Sequence, residues 1–269
     1  MAIASPLSPN ILGEVLSALE QRGIGRAEAT PYINQYYRQT IIIKFGGNVF
    51  GPIDKNKHAE GADSSLKNFA DNIVLLKKMG ARPLVVHGGG PEIEKRLQAA
   101  KITTTILHGL RVTDDRTMDI VATAMTDINQ QLTNALTHAG GRVMSLPRGL
   151  VKAKKLLQQG LDLGFVGEPI AIKEQEKIKL TSDDLIPILS PVGFDDNGHA
   201  YNINADNFAG FIATSLSAER LLLLTNINGL LDKKENLISE ASEARISQLI
   251  AEGTISGGMI PKIKTALAA

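Results

Sequence analysis

The sequence predicts an α/β three-layer sandwich with an open, mainly parallel central sheet. Three observations carry this reading. Continuous apolar runs recur at 40–45, 83–87, 142–146, 187–190 and 220–225, the pattern of strands buried on both faces. Amphipathic stretches separate them, at 66–79, 91–100, 114–138, 205–216 and 241–252, and such alternation makes helical crossovers between parallel strands. At 269 residues the chain can bury a large core.

The elements follow in order. Ile11–Arg22 places Ile11, Leu12, Val15, Leu16 and Leu19 at helical spacing, and Gly23 and Gly25 end that helix. Thr30 offers an N-cap with Pro31 at the first helical position, predicting a short helix over Pro31–Tyr37. It holds three of the four tyrosines, Tyr32, Tyr36 and Tyr37. Two surfaces could cover them: the body of the same subunit, or a neighbour in an oligomer. The first strand, 40–45, runs into Gly46 and Gly47. Pro52–Ser65 is polar and charged and reads as an exposed loop. The second strand ends at His87 before Gly88-Gly89-Gly90-Pro91, and Pro91 opens the next helix. The remaining strands and helices alternate to the end of the chain.

Bulk properties exclude several functions. The formal charge is +1, which favours neither nucleic acid nor an acidic membrane. The absence of cysteine removes disulfide scaffolds, thiolate zinc sites and a cysteine nucleophile. The histidines, at 58, 87, 108, 138 and 199, lack metal-ligand spacing, so no protein-held metal is expected. The N-terminus lacks the basic and apolar regions of a secretory signal, and no apolar run is long enough to span a bilayer. A soluble, cytoplasmic protein is expected.

Four phrases carry chemistry: IIIKFGGN at 41–48, LVVHGGGP at 84–91, NINAD at 202–206 and SGGMIPK at 256–262. Lys44 closes a buried strand, where an ammonium must find a partner or leave the core. Taken alone it reads as a snorkelling lysine beside an ordinary turn. The triple glycine is stronger. A helix N-terminus carries unsatisfied N–H groups and the positive end of the macrodipole, and glycines clear its approach to an anion. Neither a P-loop nor a dinucleotide G-x-G-x-x-G is present, and no kinase-type H-R-D or D-F-G occurs. Arg111, in LRVTD, is a candidate carboxylate clamp because guanidinium makes paired bonds to carboxylate; its plainer reading is a surface arginine. Asp206 reads as a buried carboxylate or as a helix cap. Lys262 repeats the diglycine-plus-lysine pattern. Lys152, Lys154 and Lys155 read as a solvated face.

With these motifs placed, the chain resembles the amino-acid kinase family, and within it the N-acetylglutamate kinases. The resemblance runs from about Pro31 onward, through PYINQYY, IKFGGN, VVHGGGPEI, GLRVTDDRTMDIV, LGFVGE, YNINAD, LLLLTN and GTISGGMIPK. It implies the amino-acid kinase-like fold. Residues 1–38 would form an N-terminal helical arm, 39–214 a substrate lobe and 215–269 a nucleotide lobe. The implied reaction moves the γ-phosphoryl of ATP, with Mg²⁺, to the side-chain carboxylate of N-acetylglutamate in arginine biosynthesis. By similarity, Lys44 and Lys262 stabilise the transition state and Asp206 holds them. Gly89, Gly90, Arg111 and Asn202 bind the substrate, with Arg111 and Asn202 on its α-carboxylate. Gly46, Gly47, Thr225, Asn226, Gly229, Gly257 and Met259 line the nucleotide site. A homo-oligomer is implied, a dimer or an arm-linked hexamer, with a PII-type signalling protein as a candidate regulator.

The chain also departs from the family's pattern. Thr225-Asn226-Ile227-Asn228-Gly229 stands where the family has Thr-Asp-Val-x-Gly, which removes a carboxylate near the nucleotide. The family continues for roughly 30 residues, one strand–helix–strand unit, beyond Ala269, so the nucleotide lobe is expected to be truncated, with weakened ATP binding. Two alternatives accompany the kinase reading. One is a related kinase acting on acetyl-aminoadipate; the other is a non-catalytic relative that binds ligand or a partner.

Overall fold

The computed structural model describes residues 6–46, 60–146, 149–158, 160–225, 229–255 and 259–268. Two helices come first, α1 (Pro9–Glu20) and α2 (Arg26–Tyr36). Then come β1 (Thr40–Phe45), α3 (Glu60–Lys78), β2 (Arg82–His87) and α4 (Gly90–Ala99). A hairpin of β3 (Ile106–Leu107) and β4 (Leu110–Arg111) precedes the long α5 (Asp115–His138) and β5 (Val143–Ser145). Next are β6 (Val151–Gln158), β7 (Leu161–Ile172), α6 (Glu174–Leu180), β8 (Ile186–Leu189), β9 (Val192–Phe194) and β10 (Ala200–Asn202). The described chain ends with α7 (Ala205–Ser215), β11 (Arg220–Leu224), α8 (Glu243–Ala251) and α9 (Met259–Ala268).

The central sheet has the order β11-β1-β2-β8-β5, and every pairing in it is parallel. Its two faces follow from the period of two along a strand. Ile42, Leu84 and Val86 point to one side, packing with Phe208, Ala209 and Ile212 of α7. Ile41, Ile43, Phe45 and Val85 point to the other, packing with Phe69 and Ile73 of α3 and with Ile128 and Leu132 of α5. Both faces are covered over β1, β2 and β8, which is why these strands read as unbroken apolar runs; at the edge strand β11, Leu222 and Leu224 stay exposed. The same alternation puts Lys44 on the α7 side. Chain order reverses at β1, between β2 on one flank and β11 on the other. In open parallel sheets that reversal opens a crevice at the carboxyl ends of the strands.

Three expectations need correction. The helix expected to start at Pro31 starts at Arg26, with Gly25 as its N-cap. Thr30 is therefore inside the helix, and its hydroxyl donates to the Arg26 carbonyl at 2.7 Å. Burial of Ala29 and Ile33 against Val15, Leu16 and Leu19 of α1 and Leu75 of α3 extends the helix across the proline. The loop expected over Pro52–Ser65 lies outside the described residues up to position 59, and from Glu60 its place is taken by the first turn of α3. The apolar face of α3, around Phe69 and Ile73, packs on the sheet. Finally, β6, β7, β9 and β10 form a small closed barrel that the apolar runs did not announce. Its outward positions mix charged residues with exposed Leu157, Leu161 and Ile170. Lys152, Lys154 and Lys155 pair with Asp196, Glu168 and Asp162, so the solvated face is present, on a strand.

Tyr36 packs on the sheet core and carries the Arg220 guanidinium over its ring at 5.6 Å. The Tyr37 ring lies over Gly80. Both thus rest on the body of the same chain, while Tyr32 is 54% exposed.

Candidate active site

The carboxyl ends of β1, β2 and β11 open into a cavity of about 390 Å³. Lys44, Asp206 and Lys262 line it together, from three segments far apart in sequence. Lys44 comes from the end of β1. Asp206 sits in the first turn of α7, and Lys262 in the first turn of α9, beyond Pro261.

Asp206 can serve the cavity because another residue caps its helix. The side chain of Asn204 accepts from the N–H groups of Asp206 and Asn207 at 2.9 and 3.1 Å. The carboxylate of Asp206 is thereby free to meet the two ammonium groups. Lys262 Nζ donates to Oδ2 at 2.7 Å, and Lys44 Nζ lies 2.9 Å from Oδ1. The second contact is an ion pair at hydrogen-bonding distance. Burial opposes ionisation of Asp206, but the Lys44 charge and the Lys262 hydrogen bond outweigh it, and the carboxyl is held below its ordinary range. The trio carries one net positive charge in a half-enclosed space, suited to an anionic group.

The opposite wall is Gly88-Gly89-Gly90, where β2 turns into α4. Gly89 is the N-cap and Pro91 lies in the first turn, so the positive end of the helix faces the cavity. The rim is formed by Arg111 and Asn202. Arg111 Nη1 donates to Glu94 Oε2 at 2.8 Å and to Thr104 Oγ1 at 2.7 Å. Among the described residues, Nη2 and Nε remain to address a carboxylate. Gly46 and Thr225 line the cavity as well.

The sites expected for the nucleotide are only partly on view. Gly47, Asn226 and Gly257 lie outside the described residues. Gly229 and Met259 do not line the cavity; Met259 packs with Leu249, Ile255 and Ile263. A second, larger space of about 1100 Å³ adjoins the first, sharing Asp206 and Lys262 and bounded by Phe211, Ile260 and Lys264. Among the described residues no group of three His, Cys, Asp or Glu is gathered to hold a metal. None of their helices is long and apolar enough to cross a membrane.

Sequence reasoning missed several residues that shape the site. Asn204 could have been found as an Asn two positions before Asp206 at a helix start. His87 ends β2 fully buried, with Nε2 2.9 Å from Ser190 Oγ. Burial pulls its pKa down to about 4, so it is neutral. Glu94, Thr104 and Thr113 had no local signal, because their roles depend on contacts across the fold.

A parallel α/β sheet whose strand ends carry glycine turns and a lysine, facing a second lysine and a carboxylate from two helices, defines an α/β phosphotransferase. The chain belongs to the amino acid kinase family, whose model matches residues 39–269. It is 42% identical over 275 residues to the acetylglutamate kinase of Polynucleobacter necessarius, covering 98% of this chain and 85% of that protein. It is 42% identical over 252 residues to the acetylglutamate kinase of Ralstonia nicotianae, covering 90% and 78%. Among solved structures, N-acetylglutamate synthase from Neisseria gonorrhoeae aligns with a TM-score of 0.77 at 22% identity, over 90% of this chain and 54% of that one. Carbamate kinase from Giardia lamblia aligns with a TM-score of 0.61 at 18% identity, over 85% and 87%. At those identities the two structures speak for the fold alone.

Proposed function

We propose that this protein is an acetylglutamate kinase, transferring the γ-phosphoryl group of ATP to the side-chain carboxylate of N-acetyl-L-glutamate. One observation carries the reading: Asp206 gathers Lys44 and Lys262 at the wall of a cavity whose rim holds Arg111 and Asn202. The relatives' shared activity supports the choice of substrate.

The chemistry fits these groups. A carboxylate nucleophile is ionised at neutral pH, so no general base is needed. The obstacle is the approach of one anion to another, and the remedy is positioning and positive charge. Lys44 and Lys262 would neutralise charge on the transferring group, and Asp206 would keep both ammonium groups in place. N–H groups at Gly47 and Gly89 would contact the moving phosphoryl. Arg111 and Asn202 would grip the α-carboxylate, aided by Gly90. The nucleotide would lie along Gly46, Thr225, Asn226, Gly229, Gly257 and Met259. Mg²⁺ would arrive on ATP, bound to phosphate oxygens and water; Asp206, committed to two lysines, is poorly placed to ligate it.

The same reading assigns the protein to arginine biosynthesis in the cytoplasm, as a homo-oligomer: a dimer, or a hexamer joined through residues 1–38. A PII-type protein is the regulator it would meet. Hydroxylamine trapping of the acyl phosphate, run with acetylglutamate and with acetyl-aminoadipate, tests the core of this. Hydroxamate is expected with acetylglutamate and MgATP; none with either acid would overturn the assignment.

A further inference from the structure

We infer that Thr113 is a positioning residue that sets the two halves of the substrate clamp, Arg111 and Asn202, relative to each other. The inference rests on the kinase reading and deepens it. Thr113 is fully buried and meets Asn202, 89 residues further along the chain. Its hydroxyl donates to the Arg111 carbonyl at 2.7 Å. Its oxygen also lies 3.2 Å from Asn202 Nδ2.

Hydroxyl chemistry makes this arrangement directional. A threonine has one O–H proton, and here Arg111 takes it, so the oxygen can only accept from Asn202. Asn202 must therefore turn its NH₂ toward Thr113. That fixes the amide flip, leaving the Oδ1 atom and the second N–H for the cavity. The second N–H suits a carboxylate, and Oδ1 suits the N–H of an acylamino group. An N-acylated amino acid offers both.

Thr113 is itself anchored to the barrel. Its N–H donates to Leu163 O at 2.9 Å, and its carbonyl accepts from Phe165 N–H at 2.6 Å. Between those two residues Gly164 adopts φ +73°, and a Cβ there would overlap the Thr113 carbonyl. Asn202 pairs with Val166 on the same strand, β7. One short stretch of β7 thus references both clamp residues, and the Thr113 hydroxyl joins them.

The test compares Thr113→Val, which keeps the shape and loses the hydroxyl, with Thr113→Ser, which keeps the hydroxyl. In the full chain, Thr113→Val is expected to raise KM for acetylglutamate about tenfold, the worth of one hydrogen bond. KM for MgATP should stay within roughly twofold of wild type, and Thr113→Ser should restore acid KM. Thr113→Ala in an Asn202→Ala background should cost less than it does alone, because one of the two partners of the hydroxyl is already gone. Should the valine variant not fold, the Ser and Ala variants decide, since they differ by the hydroxyl alone. Equal acid KM for Ser and Ala, or a parallel rise in acid and MgATP KM, would overturn the assignment. Wild type that neither bound nor phosphorylated the acid would overturn the functional reading, and this inference with it. Wild type that did both, with Thr113→Val matching it, would overturn the role of Thr113 alone.

Discussion

Lys262 Nζ donates to Asp206 Oδ2 at 2.7 Å across 56 positions of sequence. This bond ties α9 to α7 and leaves the other carboxylate oxygen to Lys44. The candidate site therefore depends on the register of two helices as much as on the strand ends. Under the proposed mechanism, Lys44→Ala and Lys262→Ala each lower kcat far more than they raise either KM. The loss of one such electrostatic contact costs on the order of 3 kcal/mol. Steady-state kinetics on both variants is the check, and near-normal turnover in both would remove the lysines from the mechanism.

Asp206→Asn has a different signature. It leaves Lys44, only 8% exposed, without its counter-charge. Removing one partner of a buried pair costs about 3–5 kcal/mol, so both thermal stability and kcat should fall. Calorimetric unfolding that matched wild type would show that solvent reaches Lys44 freely.

Arg111→Lys should weaken acetylglutamate binding and leave MgATP affinity unchanged. A lysine cannot hold Glu94 and Thr104 while presenting two parallel donors to a carboxylate. Titration calorimetry with each ligand measures this directly. Unaltered acid affinity would return Arg111 to a structural role with Glu94.

The sequence marked this site unevenly. Lys44, Gly89 and Lys262 stood out because a lysine at a buried strand end and clustered glycines break the ordinary pattern of their elements. Asp206 was visible only as one of two readings, since a helix-start carboxylate usually caps, and the cap here is Asn204. β1, β2 and β8 were legible because both their faces are buried; β11 was legible from its run of four leucines, although Leu222 and Leu224 are each 39% exposed. The barrel was not: β6 has one solvated face, and its alternation of Val151 and Ala153 with lysines resembles a charged loop. The start of α2 was missed because Pro31 is a common helix opener, whereas burial of Ala29 and Ile33 against α1 draws the helix back to Arg26.

His87 predicts the acid limb of the stability profile. Its pKa is drawn from 6.5 to about 4 by burial, so the native state keeps it neutral. Between those values the unfolded chain binds more protons than the native one, and stability falls as pH drops through the window. The contribution is intact above the unfolded value and shrinks by roughly 3 kcal/mol by the lower end. Denaturant unfolding at a series of pH values should show this slope in wild type and a shallower one in His87→Gln. Equal slopes would place the acid sensitivity elsewhere.

The α7–α9 contact offers a way to move Lys262 without touching it. Gly210 lies where α9 crosses α7, and a Cβ there would come within 2.6 Å of Thr265 Cγ2. Thr265 is buried and its hydroxyl donates to Asn207 Oδ1 at 3.0 Å, so its methyl has little room to yield. Gly210→Ala should therefore push α9 away from α7 and draw Lys262 off Asp206. Overpacking of this kind costs about 1–3 kcal/mol in stability, but the larger loss should appear in kcat. Thr265→Ser removes the obstructing methyl and keeps the hydroxyl bond. The double variant Gly210→Ala with Thr265→Ser should accordingly recover much of the lost turnover. Measuring kcat and melting temperature for both single variants and the pair completes the cycle. Strict additivity of the two substitutions would show that the helices do not meet through these atoms, and that Lys262 is held by the ion pair alone.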